Sequence, residues 1–449
     1  MTSKLLGSRI AMQSRAGVPT RRPFSTSTSK LNNEIPLPLA GLRVLELGQL
    51  IAGPFCGQLL SHFGADVIKV EPPQGGDPLR KWRELDENDG ISPWWRSLNR
   101  NKRSIGIDLR NEKGQKMAKQ LALQSDVVIE NFKPGVLEKF GMAPEGMYKL
   151  KPDLIFTRIS GWGQNGPMSK EGGFAAVAEA FAGFRYVNGW PDERGQLAGA
   201  PVRPNISLGD SLAGTSAALG TLLALIARGK MDSKSVTRTG QTVDVAIYES
   251  VMNMMEGIVP NYDRTGLIRG PSGSGVTGIV PTAAFPCKEA NSFVIIGGNN
   301  DSLYVRLMEQ IGRSDLTGDA YKTNADRVHK QAEIEQAITE WTSKRSVDEV
   351  LEAMQKARVP CGPINSVKEI VENEHIQARG MIEDVPVHSP ATNKSWSIKM
   401  PGLSPVLEYG PKKTRWAGPD LGQHTDEILK ELGIQGEEIA SMRKDGVIV

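Results

Sequence analysis

From Leu42 onward, short apolar runs alternate with longer amphipathic stretches, and this rhythm sets the expected fold class. The segments "LRVLEL", "DVIKVE", "SIGIDL", "DVVIEN" and "DLIFTRIS" are rich in Val, Ile and Leu and too short for helices, so each predicts a buried strand. Between them, "FCGQLLSHFGA" and "EKGQKMAKQLALQS" predict helices, the first stopped by Gly64. Strand and helix in alternation predict an α/β fold, a doubly wound Rossmann-like parallel sheet with helices on both faces. Residues 207–229 predict one long helix of Ala, Gly, Ser and Leu, whose small residues suit close packing against other backbone. "QTVDVAIYESVMNMMEGI" adds a further strand and helix.

The texture changes after Asn261. A Gly/Ser-rich loop, "RTGLIRGPSGSGVTG", leads into "TAAFPCKEANSFVIIGG", which predicts a hairpin. Helices are expected at "DSLYVRLMEQIG", "QAEIEQAITEWTSK" and "SVDEVLEAMQKARV", giving a smaller α+β unit. The expected organisation is a large domain over 37–260, a small domain over 261–375 and a segment over 376–449 that returns to the large domain.

Residues 1–33 stand apart. They hold Lys4, Arg9, Arg15, Arg21, Arg22 and Lys30 with no acidic residue, spaced by serine and threonine. That composition predicts a mitochondrial transit peptide and a matrix location, with "RRPFSTSTSKLNN" as a processing region. Without those six cations the formal charge of +3 becomes −3, so the basic balance belongs to this leader and not to a nucleic-acid surface. No apolar run in the sequence approaches the roughly 20 residues needed to span a bilayer, so membrane insertion is not expected.

The remaining chemistry is defined partly by exclusion. Cys56, Cys287 and Cys361 are far apart, and the five histidines show no paired ligand spacing, so neither a disulfide frame nor a metal site is expected. Cys56 follows "AGPF" at an expected helix start, where a buried structural thiol is favoured over a reactive one. "GWGQNG" satisfies G-x-G-x-x-G after a strand, but Pro167 follows at once and no helix opens there, which argues against a dinucleotide site. Asp210, by contrast, stands where a glycine-flanked loop runs into the long helix. A carboxylate there is favoured as an ion by the free N–H groups and the helix dipole, and can serve as a cap or as a covalent nucleophile.

Several segments ahead of Asp210 occur together in a fixed order: "VLELGQLIAGPFCGQLLSHFGADVIKVEPPQGGDPLR", "NRNKRSIGIDLRNEKG", "VVIENFKPGVLEKFGM" and "ISGWGQNGP". With Asp210 they closely resemble the class III CoA-transferases, the family of formyl-CoA transferase and carnitine CoA-transferase. The resemblance runs from about Leu37 to the end of the chain. "TGIVPTAAF", "YKTNADRVHKQ", "VPCGPINSVKEI" and "LGQHTDEILKELG" look like the mitochondrial branch typified by succinate–hydroxymethylglutarate CoA-transferase.

The resemblance implies that Asp210 attacks an acyl-CoA thioester, giving an aspartyl–acyl anhydride and then an aspartyl-CoA thioester. It implies a coenzyme A cradle at Ile51 and Ala52, at Ile107, Asp108, Leu109 and Arg110, at Asn131, Phe132 and Lys133, and at Lys139. Arg110, Lys133 and Lys139 would meet the phosphates. The substrates implied are an acyl-CoA and a short dicarboxylic acid, glutarate or 3-hydroxy-3-methylglutarate with succinyl-CoA as donor, and no tightly bound cofactor is called for. An interlocked homodimer is implied as well. The loop Arg269–Gly275 is expected to supply oxyanion donors and a lid, and Arg158, Arg185 or Arg203 to pair with the far carboxylate. Two alternatives remain. One is an α-methylacyl-CoA racemase, although such relatives carry a histidine before the aspartate and none lies between His62 and His329 here. The other is a non-catalytic CoA-binding protein.

Overall fold

Six strands, all parallel, form the larger sheet: β1 (Arg43–Glu46), β2 (Asp66–Glu71), β3 (Lys102–Gly106), β4 (Val127–Glu130), β5 (Ile155–Ser160) and β6 (Thr242–Ala246). The structure is a computed structural model and describes residues 36–230 and 240–449; the leader expected at 1–33 lies outside them. The spatial order is β3-β2-β1-β4-β5-β6, so the winding reverses between β1 and β4. In such sheets the crevice beyond the carboxyl ends of the strands at that reversal is where ligands bind.

The pleat sends alternate residues to two cores. Val44, Val67, Val127 and Ile155 face one side and pack on α1 (Ala52–His62) and on a long helix near the middle of the chain. Leu45, Ile68, Val128 and Phe156 face the other, with α2 (Glu112–Leu123) and with Ile428, Leu429, Met442 and Ile448 from the last part of the chain. Ile448 also bridges to Ile107. The C-terminal segment thus completes one face of the parallel sheet.

α3 (Ala175–Phe181) precedes the long helix α4 (Leu208–Lys230). Gly214 brings α4 against α1 so closely that a β-carbon there would lie 2.8 Å from the carbonyl of Ala52. Contrary to the expectation that no apolar run approaches bilayer-spanning length, the length and composition of α4 would suffice to cross a bilayer. Here it packs against α1 and the sheet through Ala213, Ala217, Thr221 and Ala224. Its opposite face leaves Leu219, Leu223 and Ile226 more than half exposed, at 58%, 57% and 54%.

The strand ends also hold a charged cluster that an apolar-strand reading misses. Lys69 Nζ lies 3.0 Å from both Glu46 and Asp77, and Lys102 Nζ lies 2.8 Å from Glu46, all fully buried. Glu71 takes a bidentate pair from Arg80 and the hydroxyl of Ser104.

The smaller antiparallel sheet joins β7 (Thr282–Pro286), β8 (Phe293–Gly297) and β9 (Cys361–Pro363). Helices Asp301–Gln310, Gln331–Thr342 and Val347–Ala357 close its core around Phe285, Ile296, Leu307 and Ile338. A hairpin of β10 (Ile382–Ser389) and β11 (Lys394–Pro401) follows, and Arg100 ties it to the parallel-sheet part by donating to the carbonyl of Pro401.

Candidate active site

The loop after β1 and the start of β4's exit segment are stitched together at the winding reversal. The Gln49 N–H donates to Asn131 Oδ1 and Asn131 Nδ2 donates back to the Gln49 carbonyl, both at 2.8 Å. Gly48 and Gly53 permit this approach, since a β-carbon on Gly48 would sit 3.1 Å from Asn131 Oδ1 and 3.2 Å from Gly53 Cα. Clefts lie to either side of this seam.

One, about 470 Å³, is lined by Ile51, Ala52, Asn131, Trp82, Ser160, Phe174, Ala175, Arg203 and Asp210 among others. The other, about 330 Å³, is lined by Gln49, Pro72, Gln74, Ile107, Asp108, Leu109, Arg110, Phe132 and Phe140 among others. The proposed cradle therefore divides: Ile51, Ala52 and Asn131 share a cleft with Asp210, and Ile107 through Arg110 share the neighbouring one with Phe132. Lys133 and Lys139 line neither and are exposed. Arg110 is engaged within the chain, donating to Asp108 at 2.9 Å and to Gln74 at 3.3 Å. That partnership holds the Asp108 carboxyl below its usual range.

Asp210 lies in the first turn of α4, yet it is no cap. Among the described residues, no hydrogen bond reaches its carboxylate. Burial pushes its pKa up to about 6, the Glu179 carboxylate adds to the rise and Arg203 opposes it. Here the structure departs from the expectation of a carboxylate simply kept ionised by the helix end. Desolvation and a second carboxylate raise the pKa, although Asp210 is still mostly ionised at neutral pH. The cleft also receives the first turns of α1, at Ala52, and of α3, at Ala175 and Ala176.

Of the three arginines considered as carboxylate anchors, only Arg203 lines this cleft. Arg158 is committed to Glu130 and Glu138 at 2.7 and 2.9 Å, and Arg185 to Glu179 at 2.6 Å. Arg203 makes one hydrogen bond, to the Ile206 carbonyl at 3.3 Å, and no ion pair among the described residues. The loop Arg269–Gly275 does not line the cleft. It lies along the 188–190 strand of chain, where Gly273 N–H donates to the Gly189 carbonyl and packs on Trp190, and it borders a different cleft with Phe184 and Met255. Cys56 is buried, which drives its thiol far above the range of a reactive one. The "GWGQNG" glycines form a turn after β5, the fifth strand in the chain, and α3 opens only at Ala175.

Trp82 and Glu179 are parts of the site that sequence reasoning missed. Glu179 sits in "KEGGFAAVAEA" as a lone acid in an alanine-rich helix. An acid on an otherwise buried helical face was the available signal.

Comparison with known proteins gives the site its context. The family model described as CoA-transferase family III matches residues 39–425. The chain is 41% identical over 415 residues to succinyl-CoA–D-citramalate CoA-transferase of Chloroflexus aurantiacus, covering 92% of this chain and 98% of that one. It is 32% identical over 415 residues to human succinyl-CoA:glutarate CoA-transferase, covering 92% and 90%. A crystal structure of a CAIB/BAIF family protein from Brucella suis superposes with a TM-score of 0.76 at 29% identity, covering 89% of this chain and all of that one. The two named transferases both take succinyl-CoA, with different partner acids, and do not single out the hydroxymethylglutarate branch.

Proposed function

The chain belongs to CoA-transferase family III, and from that premise we propose that Asp210 is the covalent nucleophile in moving CoA from succinyl-CoA to a second short dicarboxylic acid. The observation that carries the proposal is the state of Asp210: without a hydrogen bond to its carboxylate among the described residues, facing a cleft and flanked by the first turns of three helices. An Asp210 oxygen bonds to the succinyl carbonyl carbon, the C–S bond breaks, and CoA leaves as thiolate. The thiolate then attacks the aspartyl carbonyl and releases succinate, leaving an aspartyl-CoA thioester. The acceptor carboxylate attacks that thioester, and the freed thiolate takes the new acyl group from the anhydride, returning Asp210 as carboxylate. One thioester replaces another, so no ATP is needed. First-turn N–H groups of α1 and α3, positive ends of their helices, would stabilise the oxyanions in the place first expected of the 269–275 loop.

The thioester end of the substrate would lie in the Asp210 cleft with Ile51, Ala52 and Asn131, and the nucleotide end in the neighbouring cleft near Leu109 and Arg110, with Lys133 and Lys139 as outlying cations. Arg203 would pair with the far carboxylate, a buried anion that requires a partner. The acceptor proposed is glutarate or 3-hydroxy-3-methylglutarate. The citramalate and glutarate named for the two relatives bracket this chemistry, one a tertiary alcohol and the other the five-carbon chain. A panel of dicarboxylates assayed with succinyl-CoA tests it: oxalate or carnitine used far better than any of these would reject the acceptor class.

We further propose an interlocked homodimer in which the exposed Leu219–Leu223–Ile226 stripe is covered by a second copy. A mitochondrial matrix location is proposed from the acid-free leader, and a fusion lacking residues 1–33 should then stay in the cytosol.

A further inference from the structure

We propose that Glu179 is a positioning residue that sets the reactivity of the Asp210 carboxylate from behind the α4 N-terminus. The inference rests on Asp210 as nucleophile. Glu179 is buried, with both oxygens engaged: Oε1 accepts the Gly209 N–H at 3.1 Å, and Oε2 accepts Nε and Nη2 of Arg185 at 3.0 and 2.6 Å. Gly209 is what admits it. A β-carbon there would lie 3.2 Å from both Cγ and Oε1 of Glu179 and 3.3 Å from the Ala175 β-carbon.

Two carboxylates therefore share one helix end in different states. Glu179 is locked by a cation and a backbone donor and is not available for chemistry. Asp210, on the adjoining residue, has no donor among the described residues and faces the cleft. The charged groups facing it are Glu179 from α3 and Arg203 from the chain leading into α4, with Arg185 behind Glu179. A fixed negative charge behind Asp210 raises the basicity of its carboxylate, in keeping with its titration near 6. A more basic carboxylate is the better nucleophile toward a thioester carbonyl. No proton moves in the first half of the transfer, so its one protonation requirement is that Asp210 be ionised, and the same field that sharpens the nucleophile fixes the acid limit of that half-reaction.

The test is the rate of succinate release in a single turnover with succinyl-CoA, followed across pH in the full-length protein together with peptide mapping of the adduct. Wild type should lose activity below a limb near pH 6. Glu179→Gln keeps an oxygen for the Gly209 N–H but removes the charge. It should move the limb down by about half a pH unit or more and lower the plateau rate several-fold. Arg185→Gln strips the countercharge and should move the limb the other way. Opposite shifts are not produced by a merely structural role, and Arg185→Gln reads the same field should Glu179→Gln fail to fold. Limbs that stay with wild type, or move in one direction in both variants, would overturn the inference while leaving the nucleophile intact. Succinate release by wild type with no adduct on Asp210 would overturn the nucleophile, and the inference with it.

Discussion

Asp77 receives the backbone N–H of Leu50 on both carboxylate oxygens, at 3.1 and 3.2 Å, and so holds Leu50 in a left-handed conformation at φ 62°. Leu50 is not glycine, so this conformation is costly and must be held from outside. Asp77 is fixed in turn by Lys69, which also donates to the Gly48 carbonyl at 2.7 Å. The buried charged cluster thus supports the loop that leads to Ile51 and Ala52. Lys69→Met would leave Asp77 buried without its cation. The expected loss is about 3–5 kcal/mol in denaturant unfolding, with weaker CoA binding in whatever folds. A loss within about 0.5 kcal/mol would show that the cluster does not hold the loop.

Asp210→Asn should separate activity from stability. The folded carboxyl titrates near 6 against an ordinary value of 3.8, so the native state binds its proton more tightly than the unfolded chain. Stability contributed by this group is therefore lost as pH rises through that interval, and the ionised form is a liability above it. The asparagine variant should melt a few degrees above wild type near pH 8, with the gap closing toward pH 4, while transfer falls by about a thousandfold or more. A variant that melts lower at pH 8 would contradict the burial of this charge.

Arg203→Ala should raise KM for dicarboxylate acceptors by about 10–100-fold, the scale of one lost charged hydrogen bond, and leave a monocarboxylate such as butyrate little changed. Arg158→Ala acts first on stability, and Arg185→Ala on stability and on the Asp210 field through Glu179, because both side chains are already paired. Unchanged selectivity in Arg203→Ala would mean that the far carboxylate is read elsewhere.

Leu223→Glu places a charge in the middle of the exposed stripe on α4. If that stripe is covered by a second copy, light scattering should give half the wild-type mass. An unchanged mass would remove α4 from the interface.

The strand–helix rhythm was legible because parallel strands buried on both faces, such as Val127–Glu130, are apolar without alternation. Ile51, Ala52 and Asn131 were legible as members of ordered motifs, and they do meet at one cleft with Asp210. Lys69 and Lys102 were not, since a lysine in a short strand reads as an edge or solvent position until three-dimensional packing supplies its carboxylates. Glu179 escaped because its partners, Arg185 and the backbone of Gly209, are brought to it by the folding of 182–207. Arg158, Arg185 and Arg203 are indistinguishable in sequence. Which of them is free to meet a substrate depends on whether a glutamate lies beside it.

Asp210 is proposed to carry the acyl group and then CoA. This is tested most directly by mixing the protein with succinyl-CoA without acceptor, quenching in acid and locating the added mass by peptide mapping. Covalent transfer should put CoA or succinyl mass on the peptide containing Asp210, removable by hydroxylamine with loss of activity, and leave no adduct in Asp210→Ala. Transfer that proceeds at wild-type rate in Asp210→Ala, or an adduct mapped to any other residue, would contradict it.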